Sequence, residues 1–318
     1  MKSILILTTS LFFMVSSLYS RNYSKVYIDS NDSTKYYYCV APDSQPVGLL
    51  ILLPGARGNS EWPLKTTKIP YLAAEYGLAT IMIDYETWLS WLHDDVLKLL
   101  NSSIKNVIQK YKIPTDKCVI GGFSSGGAMA LNYTELAFKN QSKTAIVPAG
   151  VFGLDAPVDL SELYNVNLLE IQGFVCNGEK VKVSEETKNM YEKMNKYLGN
   201  TAENYENYQK YSPFIFNERY HSGGSAVYLK NVPVRIYSGI SENYLQKKSE
   251  CGFYLDSSPF LISFLKHKGN QKASFKSIYD DDYSPDGGEN FRGRHAWLGF
   301  DSQECVNWIM NLIETNEK

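Results

Sequence analysis

Ser124 is the residue of this chain best placed to do covalent chemistry. It lies in Val119-Ile120-Gly121-Gly122-Phe123-Ser124-Ser125-Gly126-Gly127, where a short apolar run ends in Gly-x-Ser-x-Gly. A helical pattern follows at once with Ala128, Met129, Ala130 and Leu131. Strand, sharp turn and helix form the context in which this pattern makes a nucleophile elbow. Such a turn holds the serine in a strained backbone conformation that its surroundings must over-determine. A side chain at position 122 or 126 would collide with the neighbouring strand or helix. The starting helix aims N–H groups and a positive dipole end at any oxyanion forming beside Ser124. Read without that context, the stretch is a Gly/Ser-rich loop.

A serine hydroxyl is a poor nucleophile at neutral pH, so a base must take its proton during attack. Histidine, titrating near pH 6.5, can accept that proton and return it to the leaving group. A carboxylate then fixes the imidazole tautomer and stabilises the imidazolium. The chain offers four histidines. His93 falls in a helical pattern beside Asp94 and Asp95, which predicts a solvated role. His221 lies in an irregular stretch, His267 between Lys266 and Lys268 at a helix end, and His295 in Gly293-Arg294-His295-Ala296-Trp297.

The elements around these residues alternate. Strands are expected at Lys25–Asp29 and Lys35–Val40, with a turn at Asn31-Asp32-Ser33. Val47–Leu53 is a continuous apolar run, as in a strand covered on both faces of a parallel sheet. It breaks at Pro54-Gly55-Ala56-Arg57-Gly58-Asn59. A helix over residues 62–76 follows, then a strand at Leu78–Asp84 and a long amphipathic helix from about Trp88 to Tyr111. Cys118–Phe123 is the strand before Ser124, the next helix runs to about Asn140, and Ala145–Leu154 reads as a strand. Between about Asp159 and Asn231 the alternation stops; residues 180–207 are helical and polar, and 208–229 irregular and aromatic. A strand returns at residues 232–237, a helix at 259–268, a strand at 273–279 and a last helix at 301–314. Such alternation implies a mostly parallel sheet with helices on both faces. Reactive groups in such sheets gather beyond the carboxyl ends of the strands. The interruption would be an insertion, either a lid over those ends or a peripheral decoration.

Composition bounds the rest. At 318 residues, 44 % hydrophobic and 21 % charged, the chain can bury a large core. A formal net charge of -2 gives no electrostatic case for nucleic acid or an anionic membrane. The N-terminus reads as a secretory signal, with Lys2, an apolar core from Ile4 to Val15 and small residues from Ser16 to Ser20. That core falls short of the roughly 20 residues that span a bilayer, so export with cleavage is expected over a permanent anchor. Export permits disulfides, and the five cysteines, Cys39, Cys118, Cys176, Cys251 and Cys305, leave one over. Cys118 is expected as a core thiol and Cys251–Cys305 as a possible bridge. No Cys-x-x-Cys or Cys/His cluster points to zinc. Asp280, Asp281, Asp282, Asp286 and Glu289 do not have the spacing of an EF-hand and read as an acidic turn.

From about residue 35 to the C-terminus the chain resembles the α/β-hydrolase superfamily, in serine esterases and lipases of that fold. The resemblance implies an α/β fold with a mostly parallel, doubly wound sheet and an insertion at about 160–230 as lid. It implies the order nucleophile, acid, histidine. Ser124 is then the nucleophile. Glu242, in Ser238-Gly239-Ile240-Ser241-Glu242-Asn243, holds the position of the acid, with Asp155, Asp159 and Asp280 as rivals. His295, between the last strand and the last helix, holds that of the base. The oxyanion hole would be the N–H groups of Ser125 and of Ala56, or alternatively Arg57. Many relatives have His-Gly where this chain has Pro54-Gly55, which leaves the subfamily open. Arg57 could hold a substrate carboxylate or phosphate, or pair with an acid such as Glu61. The implied activity is a secreted or periplasmic serine hydrolase that cleaves a carboxylic ester through an acyl-enzyme, with no cofactor and no metal. The aromatic insertion favours an acetyl or feruloyl ester borne on polysaccharide. A peptidase of the same fold and a non-catalytic binding module are the alternatives; oligomeric state is left open.

Overall fold

The computed structural model describes residues 23–29, 32–56, 59–85, 91–173, 175–176, 179–180, 183–216, 223–239, 257–277 and 300–315. The apolar runs form strands as their composition demands. In chain order the first elements are β1 (Ser24–Asp29), β2 (Asp32–Val40), β3 (Gly48–Leu53), α1 (Trp62–Thr66), α2 (Ile69–Glu75), β4 (Leu78–Ile83), α3 (Asp94–Tyr111), β5 (Cys118–Phe123), α4 (Ser125–Lys139) and β6 (Gly150–Leu154). There follow α5 (Leu160–Ile171), the short strands β7 (Val175–Cys176) and β8 (Glu179–Lys180), α6 (Glu185–Leu198), α7 (Tyr205–Tyr211), β9 (Val234–Ser238), α8 (Ser258–His267), β10 (Ser274–Ser277) and α9 (Ser302–Thr315).

Eight strands make one sheet in the order β1-β2-β4-β3-β5-β6-β9-β10. The β1–β2 and β2–β4 pairs are antiparallel and the others parallel. β3, β4, β5 and β6 are buried along their whole length, which is why they read as unbroken apolar runs. Their side chains divide between two faces. Leu49, Ile51 and Leu53 pack with α3, α4 and α8 through Leu100, Ile104, Met129 and Leu261. Leu50 and Leu52 pack with α2 and α9 through Ile69, Ala73, Val306 and Ile309. At about 25 cal/mol per Å² of apolar surface, these two layers are the main driving force for folding. The first strand, β1, lies on the outside of the sheet, with Lys25 Nζ 3.6 Å from the ring centre of Tyr36.

Two elements differ from the sequence expectation. The helix over residues 62–76 is two helices. Thr67 is extended (φ -137°, ψ 156°) and closes α1, and its hydroxyl accepts the Ile69 N–H at 3.3 Å. Pro63 and Pro70 each sit in a first helical turn, where the missing N–H costs nothing. The strand expected over Ala145–Leu154 begins only at Gly150. Pro148 has no N–H to give a ladder, and the Ala145 N–H goes to the Asn101 Oδ1 (2.8 Å) and Tyr133 hydroxyl (3.0 Å) instead.

The segment between β6 and β9 carries its own small core of Leu160, Tyr164, Met194, Leu198 and Tyr208, joined by Trp91 from the chain before α3. Asp159 caps α5, its Oδ1 accepting the Ser161 and Glu162 N–H groups at 2.9 and 3.3 Å. Asn132 on α4 donates to the Tyr211 carbonyl at 2.6 Å and ties the segment to the helix behind Ser124.

Cys118 is a buried core thiol, as expected, and burial pushes its pKa up to about 12. Cys305 is also a buried free thiol. Cys305 sits in the apolar face of α9 against the sheet; Cys251, its expected partner, lies outside the described residues. Among the described residues no cluster of His, Cys, Asp and Glu could hold a metal, and no helix is long and apolar enough to cross a membrane.

Candidate active site

The sheet register brings the carboxyl ends of its central strands to one rim. Leu53 of β3 pairs with Gly122 of β5, Phe123 with Leu154 of β6, and Leu154 with Tyr237 of β9. Ser124 follows Phe123 directly, Ala56 lies just beyond β3, and Asp155 just beyond β6.

Ser124 has φ 52° and ψ -126°, a conformation that costs a residue with a side chain on the order of 1–3 kcal/mol. Its surroundings enforce it. The Ser124 N–H donates to the Leu154 carbonyl at 2.8 Å, and its own carbonyl accepts the Ala128 N–H at 3.1 Å, the first bond of α4. The turn closes only because positions 122 and 126 lack side chains. A Cβ at Gly122 would lie 2.5 Å from the Leu53 carbonyl oxygen and 2.6 Å from the Gly126 carbonyl carbon. A Cβ at Gly126 would lie 2.4 Å from the carbonyl oxygens of both Leu53 and Pro54. The collisions expected from the sequence are therefore with backbone, which cannot swing aside. Ser124 is half-buried while its neighbours on either side are buried, so the elbow presents this one side chain.

The second wall is the loop after β3. A Cβ built on Gly55 would lie 3.2 Å from Ser124 Cβ, so this loop touches the serine. Two residues at the end of β4 brace it, and the sequence reading missed both. Asp84 accepts from the Ser60 hydroxyl (2.9 Å) and N–H (3.3 Å) and from the Tyr36 hydroxyl (2.8 Å). Buried Tyr85 donates its hydroxyl to the Pro54 carbonyl, and burial raises its pKa well above the ordinary range. An acid and a tyrosine directly after an apolar strand were the available signal. Ser125 opens α4, so its N–H belongs to the helix-end donors that have no intrahelical acceptor. The start of α4 thus sets main-chain N–H groups and a positive helix end beside Ser124.

The partners of Ser124 divide. Glu242, His295 and Arg57 lie outside the described residues. Of the described acids, Asp159 is committed to structure: besides the α5 cap, its Oδ2 accepts the Phe216 N–H at 3.0 Å. Asp155 stands on the rim with φ 46°, its Oδ1 accepting the Gly239 N–H at 3.0 Å. Glu61, considered as a partner for Arg57, is bound by Lys65 at 2.7 Å and by the Tyr23 hydroxyl at 3.1 Å. His93 is not solvated as expected. It precedes α3 half-buried, its Nε2 is enclosed with no hydrogen-bond partner among the described residues, and burial lowers its pKa.

No protein-family model matches the chain and no curated protein does. Solved structures do. Esterase B from Lactobacillus rhamnosis superposes with a TM-score of 0.57 at 12 % identity, over 92 % of this chain and 86 % of that one. MPT51 from Mycobacterium tuberculosis gives 0.52 at 11 %, over 92 % and 98 %. An S-formylglutathione hydrolase from Agrobacterium tumefaciens gives 0.50 at 13 %, over 92 % and 94 %. At such identities the likeness is one of fold. Strand order, elbow geometry and these superpositions agree: the chain has the α/β-hydrolase fold.

Proposed function

We propose that the protein is an exported serine hydrolase that cleaves a carboxylic ester through an acyl-enzyme. The observation that carries this is the backbone of Ser124, held at φ 52° at the carboxyl end of β5 by two glycines at which any Cβ would collide with backbone. A binding module has no use for that strain. Ser124 attacks the acyl carbon, and His295 takes its proton and later gives it to the leaving alcohol. Glu242 orients His295 and stabilises its cation. The Ser125 and Ala56 N–H groups receive the oxyanion; each such donor is worth roughly 10²–10³ in rate. Water, activated by the same His295, then releases the acid.

For the substrate, the reading is an acetyl or aromatic ester borne on a sugar, under a lid formed by residues 160–230, with Arg57 at the rim. It is supported by Phe216 and Phe260, which stack with ring centres 4.4 Å apart and are 53 % and 40 % exposed, an aromatic surface beyond the Asp159 cap. The names esterase and hydrolase among the proteins that share the fold agree with this reading.

A fluorophosphonate probe tests the class. The wild type should label, and Ser124→Ala should not. Folded wild type that fails to label would favour a binding module. Hydrolysis of p-nitrophenyl, acetyl-sugar and feruloyl esters, set against peptide substrates, separates the esterase from a peptidase of the same fold.

A further inference from the structure

We propose that Asp155 is a positioning residue: its side chain continues the sheet where its main chain leaves it, and so fixes Gly239, three residues before Glu242 in the sequence. The inference rests on the serine hydrolase reading above.

The parallel ladder between β6 and β9 runs in steps of two residues. The Val151 N–H goes to the Pro233 carbonyl at 3.0 Å, and the Asp155 N–H to the Tyr237 carbonyl at 2.8 Å. In an evenly spaced parallel ladder the next bond runs back, from the N–H of residue 239 to the main-chain carbonyl of residue 155. Here that N–H is received at 3.0 Å by the Asp155 side chain, through Oδ1. The reason is the backbone of Asp155. At φ 46° the chain turns out of the sheet, so the side chain takes the acceptor's place. Aspartate and asparagine are the residues with side chains that best tolerate this conformation. Asp155 thus does two jobs: it ends β6 with a left-handed turn, and it carries the pairing of β9 past Ser238 to Gly239. Glu242 follows Gly239 by three residues in the sequence.

This role differs from that of a catalytic acid in what it asks of position 155. An acid must carry charge; a positioning acceptor needs only an oxygen on a residue that accepts φ > 0. Asparagine meets the second demand and fails the first. Glycine keeps the turn and removes the acceptor.

The test uses the full chain and a p-nitrophenyl ester. Asp155→Asn should keep kcat within about 3-fold, whereas Asp155→Gly should lose about 10- to 100-fold in kcat with KM little changed. In Asp155→Gly the acid limb of the kcat profile should also move to lower pH, because an imidazolium with a misplaced carboxylate gives up its proton more readily. Glu242→Gln should lower kcat strongly, and adding Asp155→Gly to it should cost nothing more, since residues that act as one unit are not additive. Three results overturn the proposal alone: Asp155→Gly with wild-type kcat and pH profile, Asp155→Asn as inactive as Ser124→Ala, or a full additional loss in the double variant. Wild type that does not label with fluorophosphonate would overturn the hydrolase reading and this proposal with it.

Discussion

Gly126→Ala is the substitution whose effect the structure fixes most closely. The new Cβ would lie 2.4 Å from the carbonyl oxygens of Leu53 and Pro54. Ordinary contact begins at 3.4 Å, so relief requires a movement of about 1 Å, the difference of the two distances. Both obstacles are backbone, and both belong to the stretch that leads to Ala56. The movement must therefore separate the start of α4 from the loop after β3, which hold the two oxyanion donors proposed above. Forcing a methyl group into a packed interior costs about 1–3 kcal/mol. A domain somewhat smaller than this one loses roughly 2–4 °C of Tm per kcal/mol. A misplacement of 1 Å at a catalytic centre costs on the order of 10² in rate. Gly126→Ala should thus fold, melt several degrees lower and hydrolyse a p-nitrophenyl ester about 10²-fold more slowly. The measurement pairs a thermal melt with kcat on the same preparation. A variant that melts lower yet turns over at the wild-type rate would show that the donors do not depend on this approach. Wild-type values for both would refute the close packing of α4 on β3.

Three further outcomes follow from described side chains. Burial raises the Glu135 carboxyl well above its ordinary 4.5, which favours its neutral form in the folded chain. Its contribution is fully present below pH 4.5 and fades as pH rises and the unfolded chain releases the proton. Glu135→Gln should then raise the urea midpoint at pH 7 relative to wild type and leave it nearly equal at pH 4; equal gains at both would sink the assignment. Asp159→Ala removes the α5 cap and the acceptor for Phe216, and should lower stability by about 2–3 kcal/mol in denaturant titrations, with Asp159→Asn recovering part. Cys39, Cys118 and Cys305 are buried thiols with raised pKa values. Maleimide should leave all three unmodified in the native protein and modify them in urea, which mass spectrometry of the peptides would read; native labelling at Cys118 would contradict its place at the start of β5.

The sheet was legible because its central strands are covered on both faces, so Leu49 through Leu53 had to be apolar at every position. Ser124 was legible because the tight turn leaves a glycine at 122 and at 126 whatever the rest of the chain does. What was missed depends on contacts distant in sequence. Nothing local marks Tyr85 as the donor to Pro54, or Asp155 as the acceptor for Gly239. The break between α1 and α2 was present as Pro70, but a proline inside an apolar pattern is equally compatible with a first turn or a kink. His93 looked solvated from its acidic neighbours, yet the chain before α3 turns it inward.

Lys25, resting over Tyr36 on β1, has a consequence for life outside the fold. An outer strand offers main-chain amide groups to any other extended chain, and exposed tyrosines stand just before and within β1, at positions 23 and 27. Such a surface invites stacking between copies. Lys25, the second residue of that strand, must be stripped of water before a second strand can lie beside it. Pairing through this edge therefore costs the desolvation of the Lys25 ammonium.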